Sequence, residues 1–240
     1  MHIGKLPPAM SVIQADLDAG LVAAGWIASI ISAVGTFTGL VVGGVADKLG
    51  PRRVLVAGMI LLALGSTFGG WISSPQAMLL ARFVEGMGFT ATTVSAGILI
   101  ARVTVGKDRS RALAIWASFM PLGFSSMLLV SAYLLSDFGW RAIWFTTGGI
   151  SGIWVLVTLV GIRSTDGGEG RSDAIVSFGH SLHTNLRETG AVLVAACYAL
   201  YAAQHIGMMV WLPTILEETR EASVLAGAGL TAMVLLSRLR

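Results

Sequence analysis

Two charged residues lie inside an otherwise apolar stretch, and their side chains are those most able to do chemistry. Arg82 and Glu85 fall within segment 76–101. A charge in hydrocarbon costs about 3 kcal/mol or more, and residues three positions apart share a helix face and can neutralise each other. The pair can form a water-accessible site that binds an anionic group or relays a proton. It can equally be a structural ion pair that clamps helices or lies near the outer membrane interface.

A second set of aromatic and polar side chains is able to line a solute or proton pathway. Its members are Trp116, Met120, Tyr198, Tyr201, Gln204 and His205. Tyr198, Tyr201 and His205 share one helix face, and Trp116 and Met120 share another. These residue types are also ordinary packing residues in helix bundles, so packing stays open as the alternative.

A short cluster of small and charged residues follows the first apolar segment. Its members are Gly43, Asp47, Lys48, Gly50, Arg52 and Arg53. The Asp47 carboxylate can accept hydrogen bonds from a helix N-terminus or pair with Arg52. The simpler interpretation is a basic anchor in which Gly50 ends the helix.

Three glycines precede this cluster at positions i, i+4 and i+8. Gly35, Gly39 and Gly43 make one smooth stripe on a helix, so that another helix can approach closely. Such a stripe suits a helix that slides against its neighbour, and it equally suits ordinary tight packing.

The composition requires these residues to be positioned by membrane helices. Of 240 residues, 55% are hydrophobic and 12% are charged, whereas a soluble domain carries about 25% charged residues. This excludes a soluble enzyme and a disordered chain. The net charge is +3, but the basic residues form short clusters between apolar runs, which argues against nucleic-acid binding. A single cysteine, Cys197, cannot form an intrachain disulfide.

Seven segments are long and apolar enough to be read as membrane helices, the last of them short. A spanning helix needs about 20 apolar residues. The predicted spans are 21–45, 54–72, 76–101, 112–135, 142–162, 190–212 and 223–237. The fold class is therefore all-α, a polytopic membrane helical bundle. Trp140 and Trp144, beside the turn between the fourth and fifth spans, suit an interfacial belt.

The basic residues predict the orientation of the bundle. Most of the 16 Lys and Arg residues fall in the loops after the first, third and fifth spans, which places those loops in the cytoplasm. The connector 163–188, rich in Gly and Ser, is one of them. Lys5 is assigned to the opposite side, outside the spans.

Two motifs resemble the major facilitator superfamily. The stretch Gly43-Gly44-Val45-Ala46-Asp47-Lys48-Leu49-Gly50-Pro51-Arg52-Arg53-Val54-Leu55 is similar to the family signature Gly-x-Leu-Ala-Asp-Arg-x-Gly-Arg-Arg-x-x-Leu between helices 2 and 3. Pro51 replaces the first paired Arg, so the role of that Arg does not transfer. Arg82-Phe83-Val84-Glu85-Gly86-Met87-Gly88 resembles the helix-4 motif Arg-x-x-Gln-Gly-x-Gly, with Glu85 in place of Gln.

Further matches bear on the branch of that family. Met120-Pro121-Leu122-Gly123 matches the antiporter motif Gly-Pro-x-x-Gly-Gly poorly, which weakens the case for a drug/proton antiporter. The stretches 111–123 and 139–141 resemble the cyanate-permease-like branch.

The resemblance implies a domain organisation. Members have 12 helices in two halves, with the substrate site between the halves. Residues 1–162 would then be the N-terminal six-helix bundle from the end of helix 1 to helix 6. Residues 163–188 would be the connector, and 189–240 would hold helix 7 and part of helix 8. The chain is therefore expected to be a fragment.

The resemblance also implies a function, namely secondary active transport of a small solute by alternating access. The expected partners are a small organic or inorganic anion, a coupling proton and the lipid bilayer of the bacterial inner membrane. The cluster around Asp47 would act as a gate latch. The alternatives are a non-transporting truncated remnant and a drug or metabolite exporter of the same superfamily; the oligomeric state is left open.

An enzyme is not expected, because the chain has no Gly-x-Ser-x-Gly, no His-Glu-x-x-His and no phosphate-binding loop. His180 and His183 lack a third ligand, so neither a metal nor a cofactor is predicted.

Overall fold

The computed structural model describes residues 1–161 and isolated helical positions at 190, 193, 196, 197, 200 and 204. After a short 3-10 helix, Pro7–Ala9, six α-helices follow in this part of the chain. They are α1 (Met10–Leu17), α2 (Leu21–Leu49), α3 (Pro51–Gly69), α4 (Pro75–Val103), α5 (Gly106–Ala117) and α6 (Phe119–Gly161). The all-α fold class is confirmed. The connector 163–188 and most of the spans 190–212 and 223–237 lie outside the described residues.

Four helical stretches of the described chain are long and apolar enough to cross a bilayer. They are Leu21–Leu49, Pro51–Gly69, Pro75–Val103 and Gly106–Gly161. A helix rises about 1.5 Å per residue, so even 19 residues approach the roughly 30 Å of hydrocarbon. Large apolar side chains of α2, among them Leu21, Val22 and Phe37, are exposed. The chain is an integral membrane protein.

Proline and glycine define where the helices begin and end. Gly50 lies between α2 and α3 with φ of 90°, a conformation that glycine adopts without penalty. Pro51 then opens α3, and Pro75 opens α4, at first-turn positions where the missing N–H is not needed. The Ser74 hydroxyl accepts a hydrogen bond from Ala77 N at 3.3 Å and caps α4. The short connections therefore make α3 antiparallel to both α2 and α4.

The predicted fourth and fifth spans, 112–135 and 142–162, fall in the end of α5 and in α6, and α6 is broken at Gly139. Gly139 has φ of 73° and ψ of 175° inside α6, which divides the helix into a first leg (119–138) and a second leg (140–161). The polar turn at 136–140 is therefore reduced to one residue with positive φ.

Contacts at the ends of the two legs show that the chain reverses at this glycine. The Phe119 ring lies 6.4 Å from that of Phe89, halfway along α4. Beyond Gly139, the Thr158 hydroxyl donates to Met59 Sδ at 3.4 Å. The second leg therefore runs back along α3. Because the first leg begins beside the middle of α4, α5 and the first leg together can make one crossing of the bilayer, and the second leg can make the other.

Helices α3 and α4 approach each other closely at two glycines. A Cβ on Gly88 would stand 2.7 Å from the carbonyl oxygen of Gly58 and 2.7 Å from Leu62 N. Backbone atoms cannot move aside as a flexible side chain can, so this crossing requires glycine.

The segment before α2 lies inside the bundle. Leu6, Met10 and Ile13 are buried in one apolar cluster with Met127 and Trp144 of α6. The predicted end of helix 1 is thus a central packing element, and it places the first residues of the chain beside α3, α4 and both legs of α6.

Candidate functional site

The described part of the chain buries one cluster of charged side chains. Lys5 and Glu85 are 0% exposed, Arg82 is 1% and His2 is 8%. No other Asp, Glu, Lys or Arg among residues 1–161 is buried to this extent. The predicted pair of Arg82 and Glu85 is therefore one half of a larger group.

Glu85 bridges two cations with its two carboxylate oxygens. Arg82 Nη1 donates to Oε2 at 2.6 Å, and Lys5 Nζ contacts Oε1 from the N-terminal segment. The Ser66 hydroxyl also donates to Oε1. With Lys5 and Arg82 charged and His2 neutral, the cluster has a net charge of +1.

Further contacts stabilise the Lys5 ammonium in its charged form. Nζ donates to the Ser66 hydroxyl at 2.8 Å and to Thr147 Oγ1 at 3.4 Å. It also lies 4.3 Å from the centroid of a Trp144 ring, within the range of a cation–π contact. An ammonium has three protons to donate, and three acceptors surround it.

Arg82 is fixed by backbone oxygens as well as by Glu85. Nη1 donates to His2 O at 3.0 Å and Nε donates to Ile27 O at 3.3 Å. The guanidinium thus joins α4 to α2 and to the first residues of the chain. The structure places this pair inside the bundle rather than at an interface.

The assignment of Lys5 to a loop outside the spans is wrong. Pro7 and Pro8 made the segment look like a connection, but they form a buried 3-10 helix that leads Lys5 into the bundle. Sequence analysis also missed His2 and Ser66. The signal that could have found Lys5 is electrostatic, because an intramembrane carboxylate requires a cationic partner.

His2 lies between this cluster and an adjoining cavity. Its Nδ1 lies 3.1 Å from Ser66 Oγ and 3.6 Å from Glu85 Oε1. Its Nε2 lies 2.9 Å from Ser151 Oγ in the second leg of α6. His2, Thr147 and Ser151 all line the cavity, so they form its polar wall.

The cavity has a volume of about 400 Å³ and is otherwise mostly apolar. Its aromatic and sulfur-containing lining consists of Met1, Met59, Phe89, Trp116, Phe119, Met120, Phe124 and Trp154. The structure therefore brings the predicted residues Trp116 and Met120 to the cavity, with Arg82 and Glu85 behind its polar wall. Tyr198, Tyr201 and His205 lie outside the described residues, and Gln204 is a helical, exposed position.

At the other predicted site, Asp47 pairs with a residue of α4. Arg102 Nη2 lies 3.3 Å from Asp47 Oδ1, and both side chains are about half exposed. The suggested partner, Arg52, instead donates to Leu159 O at 3.1 Å. Lys48 and Arg53 are exposed near the turn at Gly50.

The predicted glycine stripe meets α4 over part of its length. A Cβ on Gly35 would lie 3.3 Å from Thr90 Oγ1, and one on Gly39 would lie 4.0 Å from Thr90 Cγ2. A Cβ on Gly43 would meet nothing within 4 Å. The close approach is thus confined to Gly35 and Gly39.

A polar cluster that sequence analysis missed lies beside the Gly139 turn. Arg141 Nη1 lies 2.8 Å from Asp16 Oδ2, which also accepts from Trp140 Nε1 at 3.1 Å. Trp140 is 3% exposed and Trp144 is 0% exposed, so their assignment to an interfacial belt is wrong. Both indoles join the N-terminal segment to α6.

The described residues contain no group of three or more His, Cys, Asp and Glu side chains that could hold a metal ion. The geometry indicates instead a site for a small polar solute: an apolar cavity with a polar wall and a buried positive charge behind it.

Comparison with known proteins places this site in a family. Residues 3–239 match the family model for the Major Facilitator Superfamily. The putative niacin/nicotinamide transporter NiaP of Bacillus subtilis is 23% identical over 224 residues, which cover 90% of this chain and 54% of that protein. The probable 4-methylmuconolactone transporter of Cupriavidus pinatubonensis is 25% identical over 232 residues, covering 91% and 51%.

A shorter match gives a higher identity. The niacin transporter NiaP of Acinetobacter baylyi is 30% identical over 136 residues, covering 56% of this chain and 30% of that protein. The chain spans about half the length of the first two relatives. All three are named as transporters, which points away from an enzyme, while the cyanate-permease-like branch stays a prediction. As the motifs at Asp47 and Arg82 indicated, the chain belongs to the Major Facilitator Superfamily.

Proposed function

We propose that this chain is part of a secondary active transporter that moves a small organic carboxylate across the bacterial inner membrane by alternating access. The observation that carries the proposal is the net positive charge of the cluster formed by Lys5, Arg82 and Glu85, buried behind the polar wall of the cavity.

The charge argument begins with the cost of burying an ion. A buried charge is tolerated when it is paired and hydrogen-bonded. Glu85 neutralises only one of the two cations, so one positive charge remains without a counter-ion. An anionic group in the cavity would supply that counter-charge, separated from the cluster by His2 and Thr147. The attraction between the two charges would favour an anion over a neutral solute of the same shape.

The shape and lining of the cavity favour a compact ring compound. Its volume of about 400 Å³ lies at the small end of the range for ligand sites. The cavity is lined by Trp116, Phe119 and Phe89, and a planar ring packs favourably against aromatic side chains. The relative from Acinetobacter baylyi is named for niacin, a small ring carboxylic acid, and the relative from Bacillus subtilis is named for niacin and for nicotinamide, its amide. Both names support a compact ring compound as the solute.

The motif at Asp47 supports the alternating-access part of the proposal. The pair of Asp47 and Arg102 joins the ends of α2 and α4 through exposed side chains. Such a pair is weak enough to break and re-form when helices move against each other. With the basic loops facing the cytoplasm, the pair and the connector 163–188 lie on the cytoplasmic side.

The test is uptake into proteoliposomes by the purified full chain, with nicotinate and its uncharged isostere nicotinamide as the two solutes. We expect nicotinate to accumulate when the outside is acidic, and nicotinamide to accumulate much less. Protein-free liposomes measure passive entry. Equal uptake of acid and amide would contradict the proposal, and binding of nicotinate without accumulation would favour a non-transporting remnant.

A further inference from the structure

The hydrogen bonds around Ser66 determine which ring nitrogen of His2 carries a proton. The Ser66 hydroxyl has one proton, which it donates to Glu85, and its oxygen accepts from Lys5 Nζ. The bond of 3.1 Å between Ser66 Oγ and His2 Nδ1 therefore needs its proton from the histidine. His2 is protonated at Nδ1 in this arrangement.

The other ring nitrogen faces a hydroxyl that has two possible acceptors. Ser151 Oγ lies 2.9 Å from His2 Nε2 and 2.8 Å from the carbonyl oxygen of Thr147. When Ser151 donates to Nε2, the imidazole is neutral. When Ser151 turns its proton to Thr147 O, its oxygen accepts from a protonated Nε2, and His2 is an imidazolium. One set of heavy-atom positions thus serves both protonation states.

We infer that His2 binds the coupling proton of this transporter, with Ser151 as the hydroxyl that turns when the proton arrives. This inference rests on the proposed function. A hydronium ion in the cavity gives its proton to His2 Nε2 and becomes water, while the Ser151 hydroxyl rotates with its O–H bond intact, so that it donates to the Thr147 carbonyl oxygen instead of to Nε2. No other bond forms or breaks, and the proton returns to water on the other side of the membrane when the solute leaves.

The charges that face His2 make its protonation depend on the solute. Burial of the ring opposes the imidazolium, as do the charges of Lys5 on the same segment and of the Met1 amino group, while Glu85 on α4 favours it. The Arg82 guanidinium on α4 donates to the carbonyl oxygen of His2. The packed parts of α3 and α6 contribute the hydroxyls of Ser66 and Ser151.

A carboxylate in the cavity adds a second negative charge beside the ring. The proton and the anion therefore each strengthen the binding of the other, which is the thermodynamic requirement for coupling. The loaded site gains one positive and one negative charge, so loaded and empty sites carry the same net charge.

Calorimetry of nicotinate binding tests the inference. The full chain in nanodiscs is titrated in two buffers of different ionisation enthalpy, which counts the protons taken up. We expect about one proton per bound nicotinate at a pH where the free histidine is neutral, and none for His2→Gln. His180→Gln serves as the matched control and should take up the same number as the unaltered chain.

The outcomes separate this inference from the proposed function. The role of His2 is overturned if the unaltered chain binds nicotinate without taking up a proton. It is also overturned if His2→Gln takes up as many protons as the unaltered chain. Both results leave the proposed solute class unaffected. Absence of nicotinate binding overturns both. If His2→Gln does not fold, Ser151→Ala replaces it. Because the imidazolium loses its acceptor, half-maximal binding should then move to lower pH, and an unchanged pH profile overturns the inference.

Discussion

The Lys5 ammonium and the Glu85 carboxylate form a buried ion pair between residues that stand 80 positions apart in the chain. The first comes from the segment before α1 and the second from the middle of α4. Because Glu85 also binds Arg82, the carboxylate fixes the position of the N-terminal segment and balances part of the charge behind the cavity. Changes at either residue should therefore alter both stability and solute selectivity.

Lys5→Met should remove the preference for an anion. The substitution leaves Arg82 and Glu85 as a neutral pair, so the cavity loses the positive charge that favours nicotinate over nicotinamide. We expect the ratio of the two dissociation constants to fall by about tenfold or more, equivalent to about 1.4 kcal/mol. Titration of both ligands measures it, and Lys107→Met, which changes an exposed lysine, is the control. An unchanged ratio would contradict the assigned role of Lys5.

Glu85→Gln should destabilise the bundle. The substitution leaves two buried cations without their carboxylate, and breaking a buried pair in this way costs about 3–5 kcal/mol. Thermal unfolding in detergent should show a lower midpoint, with Asp108→Asn at an exposed position as the control. The double substitution Lys5→Met with Glu85→Gln should recover part of the loss. Additive effects in this cycle would show that the two side chains do not interact.

Gly88→Ala should separate α3 from α4. A methyl group at this position would stand 2.7 Å from the backbone of α3, so the helices must move apart or strain must build up. We expect a loss of about 1–3 kcal/mol, the usual range for overpacking. Gly149→Ala is the matched control, because a Cβ there meets nothing within 4 Å, and it should stabilise the helix by about 0.5–1 kcal/mol. Equal midpoints for both variants would argue against the tight crossing.

Asp47→Asn should reduce uptake while leaving folding intact. An exposed pair contributes about 0–1 kcal/mol to stability, so the unfolding midpoint should change little. Loss of the contact with Arg102 would instead impair the movement of α2 against α4. Arg102→Gln should reduce uptake in the same way. Asp108→Asn is the control, because it also breaks an exposed ion pair, with Arg111, and it should leave uptake unchanged. Proteoliposome uptake normalised to protein content gives the measurement, and normal uptake by Asp47→Asn would remove the gate role.

The sequence predicts the long helices well because charges and prolines bracket them. The predicted spans 21–45, 54–72 and 76–101 correspond to α2, α3 and α4. Helices α3 and α4 begin earlier than predicted because Pro51 and Pro75 each begin a helix rather than precede one. The turn between the two legs of α6 was less predictable, since a single glycine with positive φ performs the reversal that a longer polar loop was expected to make.

The site was predicted only where the pattern is local. Arg82 and Glu85 lie on one helix, and their spacing of three residues predicts that they share a face. The spacing of Trp116 and Met120 likewise predicts a shared face. Lys5 and His2 approach Glu85 through tertiary packing alone, and nothing in residues 1–9 has a helical period that signals burial. For the same reason the contact of Asp47 with Arg102, 55 positions away, could not be derived from the motif.

The spacing of Arg82 and Glu85 on one helix has a consequence for biogenesis. An arginine entering hydrocarbon alone costs about 3 kcal/mol, but α4 brings its own carboxylate one turn away and can enter the membrane as an internally neutralised helix. The lysine has no such companion on its own segment. The Lys5 ammonium can pair with the Glu85 carboxylate only after α4 has been inserted. We therefore expect the N-terminal segment to pack into the bundle late, after the synthesis of α4 is complete.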